Sequence, residues 1–237
     1  MRLAPIVKGL AQFYLRAIPS MGSPSTLESA CLKTTTPPHI TRHIQQLIAK
    51  VVPGGNPAYL TVQPDADAVV NECFPNVAAK ISRAGGRMLC GWQIWEWPHV
   101  MVEAEFHAVW VAPEGQLVDI TPKPHGEAAI LFVPDARRTY TGVVVDNVRL
   151  PVRDDLLVRH FIKASEAIVQ VMNRGERTDQ YGQISVPAHE IEPLMRAQSF
   201  LGQSISAGLR DHDSCLCGRG GKYKRCHGPG FERLFNE

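Results

Sequence analysis

Two consecutive alternating runs constrain this chain more than any other feature. In VMVEAEFHAVWV, Val102, Ala104, Phe106, Ala108 and Trp110 alternate with Met101, Glu103, Glu105, His107 and Val109, and RMLCGWQIWEW just before it has the make-up of a partner strand. A period of two means a β-strand with two unlike faces, so His107 leaves the sheet opposite Phe106 and Trp110. After the turn PEG, the short strand QLVDIT pairs back as a hairpin and brings Asp119 near His107. AAILFVP is apolar throughout, as a central strand is, and TGVVVDNVRLPV supplies one more. The expectation is an antiparallel meander of about five strands.

Helices flank these strands. NECFPNVAAKISRAGGRM predicts one with Val77, Ile81 and Ala84 on one side and a Gly-Gly stop. Pro75 suits its first turn, where the missing N–H has no partner to lose, so Cys73 falls at the helix start. There the helix dipole favours an anionic group, and so the thiolate, the reactive form of cysteine. Thr41 to Val52 presents Ile44, Leu47, Ile48 and Val51 on one face before PGGNP ends it, and Ser25 with Glu28 has the spacing of a capping box. Residues 58–72 read as a strand followed by either a turn or a short helical turn. Asp154 is the expected cap of a helix running through Asn173, RGERTDQYGQ reads as a loop or linker, and Pro193 as the opening of a further helix.

A cysteine, a histidine able to take its proton and a carboxylate able to hold that histidine in one tautomer form an activated-nucleophile constellation. Cys73, His107 and Asp119 come in that order, with the Cys73 amide and either Gln63 or Asn71 as donors to a developing oxyanion. The tryptophans 92, 95, 97 and 110 read as core and cleft-wall residues, with Trp92 or Trp95 beside any cleft; His99 and His125 read as loop residues, and Cys31 and Cys90 as packing residues. A cysteine at a helix start, a histidine in FHAVWV and an aspartate in LVDITP resemble the transglutaminase-like cysteine domains of the papain-like superfamily, over residues 63–122. That resemblance implies Cys73 as nucleophile, His107 as general base and Asp119 as the residue that orients it.

The far end carries different chemistry. In SCLCGRGGKYKRCHG, Cys215 and Cys217 are one residue apart, Cys226 and His227 are adjacent, and glycines at 218, 220 and 221 let the intervening loop fold tightly. Three thiolates and an imidazole suit tetrahedral zinc, and in so short a segment the metal supplies folding energy. Arg219, Lys222, Tyr223, Lys224 and Arg225 form a cationic patch that suits an acidic protein surface or a phosphate backbone. The pattern resembles the SEC-C zinc-binding motif of a protein-translocation motor and of many otherwise unrelated bacterial proteins, with Arg219 where serine is usual. The resemblance implies a module that docks on a protein or faces the ribosome.

The whole chain sets bounds on these readings. With 237 residues, 44% hydrophobic and 20% charged, it has the composition of a globular protein, and a net charge of +2 gives no general attraction to nucleic acid or membrane. No apolar run has the length of a transmembrane segment. Scattered cysteines upstream of a metal-type cluster point to a reducing, cytoplasmic compartment. The expected organisation is an extension over 1–24, cationic and without acids; an α+β domain over 25–180, mainly antiparallel sheet packed on helices in the transglutaminase/papain-like manner; a helical connector over 181–212; and a zinc knuckle over 213–237. The extension reads as a helix, a tail, a targeting peptide or an interfacial helix. Two functions follow: a cysteine hydrolase or acyltransferase acting on an amide or ester, brought to its target by the knuckle, or a non-catalytic zinc adaptor for a ribosome, chaperone or translocation component. RNA binding through Arg219, Lys222, Lys224 and Arg225 is a third.

Overall fold

The structure, a computed structural model, describes residues 3–6, 34–177 and 184–235. In chain order its elements begin with strand β1 (Leu3–Ile6), helix α1 (Arg42–Val51) and strand β2 (Ala58–Thr61). Helix α2 (Cys73–Ala84) leads into the long strands β3 (Arg87–Trp97) and β4 (Met101–Val111). Strands β5 (Leu117–Val118), β6 (Ala129–Pro134) and β7 (Val148–Pro151) precede helix α3 (Leu156–Arg174). Strands β8 (Glu176–Arg177) and β9 (Ile184–Pro187), helix α4 (Ala188–Ser206) and helix α5 (Gly228–Leu234) complete the set. Among the described residues no helix is long and apolar enough to cross a membrane.

The alternating runs pair along their whole length, from Arg87 opposite Val111 to Trp97 opposite Met101. The sheet built on them is antiparallel, in the order β2-β6-β3-β4-β5, with β7 beside the other half of β4. It is not the expected meander, because β6 inserts between β2 and β3. Its composition agrees with that central place: Ile130, Leu131, Phe132 and Val133 are all buried, as befits a strand covered on both faces. The two ends of the sheet then meet. Gln63 donates its backbone N–H to Asp119 O at 2.8 Å and Asp119 to Thr61 O at 3.2 Å, so the sheet is nearly closed on itself, with Asp119 at the seam. Closure removes most of the exposed strand edge.

Helices α1 and α2 cover the face that carries Val102, Ala104, Phe106 and Ala108. Thr41 caps α1 by accepting from Ile44 N, and the four predicted apolar residues are its buried stripe. Helix α2 begins at Cys73 and ends at Gly85, whose φ of 71° lies in the left-handed region that glycine adopts without strain. Residues 62–72 run as bridge and turns, not as a helical turn.

Three local readings need correction. Asp155, not Asp154, caps α3: its Oδ1 accepts from Leu157 N at 2.9 Å, while Asp154 faces solvent and pairs with Arg159. Helix α4 starts five residues before Pro193 and runs through it, held by packing along α3 that outweighs one missing hydrogen bond. Part of the expected linker forms a small antiparallel sheet, β1-β9-β8, in which Leu3–Ile6 pairs with Ile184–Pro187. The readings for Cys31, for the Ser25–Glu28 capping box and for the rest of the amino-terminal extension fall outside the described residues.

Candidate functional site

Three different segments carry Cys73, His107 and Asp119. Cys73 is the first residue of α2, 8% exposed, packed beside Val77, Ala108, Val118 and Ile120. Its entry turn is pinned by Asn76, which accepts from Val69 N at 3.0 Å and donates to Val69 O at 2.8 Å and to Thr121 Oγ1 at 3.3 Å. His107 projects from the opposite face of β4, as its position in the alternation requires. Its strand partner is Gly91, and a side chain there would collide with Phe132, whose ring lies edge-on to His107 at 6.5 Å. Asp119 comes from the closing seam, fully buried, one residue beyond β5.

Cys73 and His107 line a small, partly open pocket of about 270 Å³ counting the open solvent at its mouth, and Asp119 is bonded to the His107 ring without lining it. Nε2 of His107 lies 3.1 Å from Oδ2 of Asp119, while Oδ1 of Asp119 accepts from Thr121 N at 3.0 Å. Trp95 and Glu105 share the wall, linked by an indole N–H to carboxylate bond of 2.7 Å. The other tryptophans are elsewhere: Trp92 and Trp97 are buried in two different core clusters, and Trp110 donates to Gly85 O.

Lys123 and Gln93 of this pocket carried no sequence reading. Lys123, with a side chain only 4% exposed, lies 2.5 Å from Oδ2 of Asp119 and 3.3 Å from Nε2 of His107, and donates to Oε1 of Gln93 at 3.0 Å. Gln93 is 1% exposed. The signals were present but quiet: Gln93 is a lone polar residue among the inward positions of an apolar strand, and Lys123 follows Asp119 by four in DITPK. Of the two side chains named from sequence as partners of the Cys73 amide in binding an oxyanion, Asn71 lines the pocket and Gln63, an exposed residue, does not.

Electrostatics couple the group tightly. Burial, the strongest single influence on His107, disfavours its cation, and Lys123 acts in the same sense. The electrostatic influence of Cys73 and then of Asp119, with the Asp119 hydrogen bond, outweighs both and holds the imidazole up at about 9. Asp119 shows the reverse balance: burial raises it, but His107 and then Lys123 bring it down to about 2.

The second cluster lies in the carboxyl-terminal turn. The ligand atoms of Cys215, Cys217, Cys226 and His227 all fall within 4.8 Å of one another. Nδ1 of His227 is 3.1 Å from Sγ of Cys215 and 3.5 Å from Sγ of Cys226, and the sulfurs of Cys217 and Cys226 are 3.5 Å apart. A tetrahedral ion with zinc–sulfur bonds of about 2.3 Å and a zinc–nitrogen bond of about 2.0 Å sets its ligands roughly 3.5–3.8 Å from one another, so this donor set fits zinc. The sulfurs also compete for protons. The Arg219 backbone N–H above all holds Cys217 below the usual thiol range, whereas Cys226 is pushed up to about 11, mainly by the Cys217 sulfur. A dication relieves such crowding by taking all three as thiolates.

The knuckle is built into the protein. Tyr223 and Cys215 are buried in one cluster with Phe161 of α3, Leu201 and Ile205 of α4, and Trp97, Val100 and Met101 at the β3–β4 turn. The Tyr223 hydroxyl lies 2.6 Å from Nδ1 of His160, whose Nε2 is 2.7 Å from Glu232. Arg219, Lys222 and Arg225 remain exposed, while Lys224 reaches Nδ1 of His212 at 2.9 Å.

Residues 213–229 match the SEC-C motif, and the metal-ligand cluster lies inside that span. No curated protein and no solved structure matches the chain. None of these comparisons supports a likeness of residues 63–122 to transglutaminase-like domains.

Proposed function

We propose that the protein is a thiol-dependent acyl-transfer or hydrolytic enzyme acting on an amide or ester, with Cys73 as nucleophile, His107 as general base and acid, and Asp119 as the residue that orients it. The observation that carries this reading is the shared pocket: a cysteine at a helix start and a histidine whose far nitrogen is bound to a buried carboxylate line the same wall. Three roles follow from position. Asp119, accepting at Oδ2 from Nε2, holds the ring in the tautomer whose Nδ1 carries the lone pair. Nδ1 takes the thiol proton, and the imidazolium so formed is stabilised by the same carboxylate. The helix start sets the sulfur where the positive end of α2 supports negative charge.

Iodoacetamide followed by peptide mapping tests this. Cys73 is expected to label faster than Cys90, which burial pushes up and which lies in the core under α1. The labelling should disappear in Cys73→Ala and slow in His107→Asn, with melting curves unchanged. Equal labelling of Cys73→Ala removes the site from consideration.

A second reading draws on the SEC-C match. The knuckle, rimmed by exposed Arg219, Lys222 and Arg225, docks the chain on an acidic protein or ribosomal surface, and the pocket plays no chemical part. It predicts that chelation or Cys226→Ser abolishes partner capture while Cys73→Ala leaves it intact.

A further inference from the structure

The wall of the Cys73 pocket contains two buried donors that no described residue satisfies. Nε2 of Gln93 and Nδ2 of Asn71 both lie out of solvent without a hydrogen-bond partner. Leaving such a group unpaired costs roughly 1–3 kcal/mol. Native proteins keep few of them, so two in one small wall mark a place that lacks an acceptor.

Neither amide is there by loose packing. Lys123 donates to Oε1 of Gln93 at 3.0 Å, and turning that amide over would set its NH2 against an ammonium, so Nε2 is kept on the other side. Lys123 is in turn anchored on Asp119. Asn71 sits at φ 65°, in the left-handed region that asparagine tolerates better than most residues, two positions before the nucleophile. The turn around it is clamped by the paired bonds between Val69 and Asn76. Two buried N–H donors in the wall that also holds Cys73 suit the stabilisation of negative charge on a carbonyl oxygen.

We propose that Gln93 and Asn71 are the oxyanion donors of the Cys73 site, and that the substrate is an acyl compound whose carbonyl oxygen enters between them. This rests on the reading of Cys73 as nucleophile given above. Most of the pocket's space is open solvent at its mouth, so only the carbonyl oxygen reaches the two amides and the rest of the substrate lies outside. In the step, Sγ of Cys73 bonds to the carbonyl carbon and the C=O π pair moves onto oxygen, facing the two amides. When that pair returns, the bond to the leaving group breaks. The leaving group departs with the proton that His107 took from the thiol. Water or an amine then attacks the thioester by the same sequence, so atoms and charge balance without a further reactant.

Two reagents separate the donors' role from that of the sulfur. Iodoacetamide alkylates at a saturated carbon, where no oxyanion forms, whereas p-nitrophenyl acetate acylates through one. In Gln93→Leu and in Asn71→Gly, which keeps the left-handed backbone, alkylation of Cys73 should stay within about twofold of the parent while acylation falls about 10²-fold. Acylation at the parent rate in both variants overturns the proposal and leaves the nucleophile standing. An equal fall in both reactions also overturns it, because the amides then support the sulfur itself. If the parent protein gives neither reaction at Cys73, the nucleophile reading fails and takes this inference with it. Melting curves accompany each variant, and Asn71→Gly, in a turn, keeps the test readable should Gln93→Leu fail to fold.

Discussion

At the carboxyl-terminal knuckle, Sγ of Cys215 lies 3.1 Å from an imidazole nitrogen with two more sulfurs close by; at the pocket, Cys73 shares a wall with an imidazole whose other nitrogen is held by Asp119. The residue types are nearly the same, and the difference is in number and closure. Four donors within 4.8 Å surround a single point and leave no side for a substrate. One sulfur, one oriented imidazole and two unpartnered N–H groups leave a side open. A thiol beside a histidine is thus a ligand or a proposed nucleophile according to what else converges on it.

The sharpest way to break this contrast is to remove one sulfur from each place. Cys73→Ala should abolish turnover of an activated ester, a loss of about 10⁴-fold or more, and leave the melting temperature in place. Bound zinc measured by inductively coupled plasma mass spectrometry should not change. Cys226→Ser or a strong chelator should do the opposite: because the knuckle shares its core with α3 and α4, about 3 kcal/mol of lost support lowers the melting midpoint by about 6–12 °C, while Cys73 still labels. If chelation stops labelling at Cys73 before the fold melts, the two sites are not separate.

Asp119→Asn sharpens the pocket side. Loss of the carboxylate should slow acylation by about 10²- to 10⁴-fold. The pH behaviour gives the sign. His107 sits at about 9, above its ordinary 6.5, so its charged form contributes stability that is complete below pH 6.5 and is lost as pH rises through 9. Urea midpoints should fall across that window in the parent. They should fall less in Asp119→Asn, which removes two of the influences that raise the imidazole, and the alkaline limb of the pH–rate profile should move toward neutrality. An unchanged limb would mean that His107 does not set it.

The smallest expected effect concerns how firmly the knuckle is seated. Tyr223→Phe removes the hydroxyl that meets His160 and leaves the ring packed, at a cost of about 1–3 kcal/mol in a denaturant titration with zinc content unchanged. No measurable cost would make the knuckle a more loosely attached module than its buried tyrosine suggests.

Legibility followed chemistry of unequal range. The Cys215–His227 set was readable because its ligands lie within one turn of chain, where spacing alone dictates who meets whom. The β3–β4 hairpin and the place of Cys73 at the head of α2 were readable for the same local reason: alternation, a favourable Pro75 and a Gly-Gly stop. Lys123 and Gln93 were not, since a lysine after a strand and a glutamine inside one look like a solvated residue and an oddity until β-pairing and closure bring them together. The insertion of β6, the cap at Asp155 in place of Asp154, and the passage of α4 through Pro193 were likewise settled by packing partners far away in sequence.

By itself the sequence determined the local units: a two-faced hairpin, a cysteine at a helix start, a four-ligand turn shaped by glycines. Only the tertiary structure decided that the sheet nearly closes with Asp119 at the seam, that a lysine is buried between that carboxylate and a glutamine, and that the knuckle shares a core with α3 and α4. The division has a physical cause. Backbone periodicity and capping act over a few residues, whereas burial and the pairing of buried charges depend on every segment that excludes water from the same space.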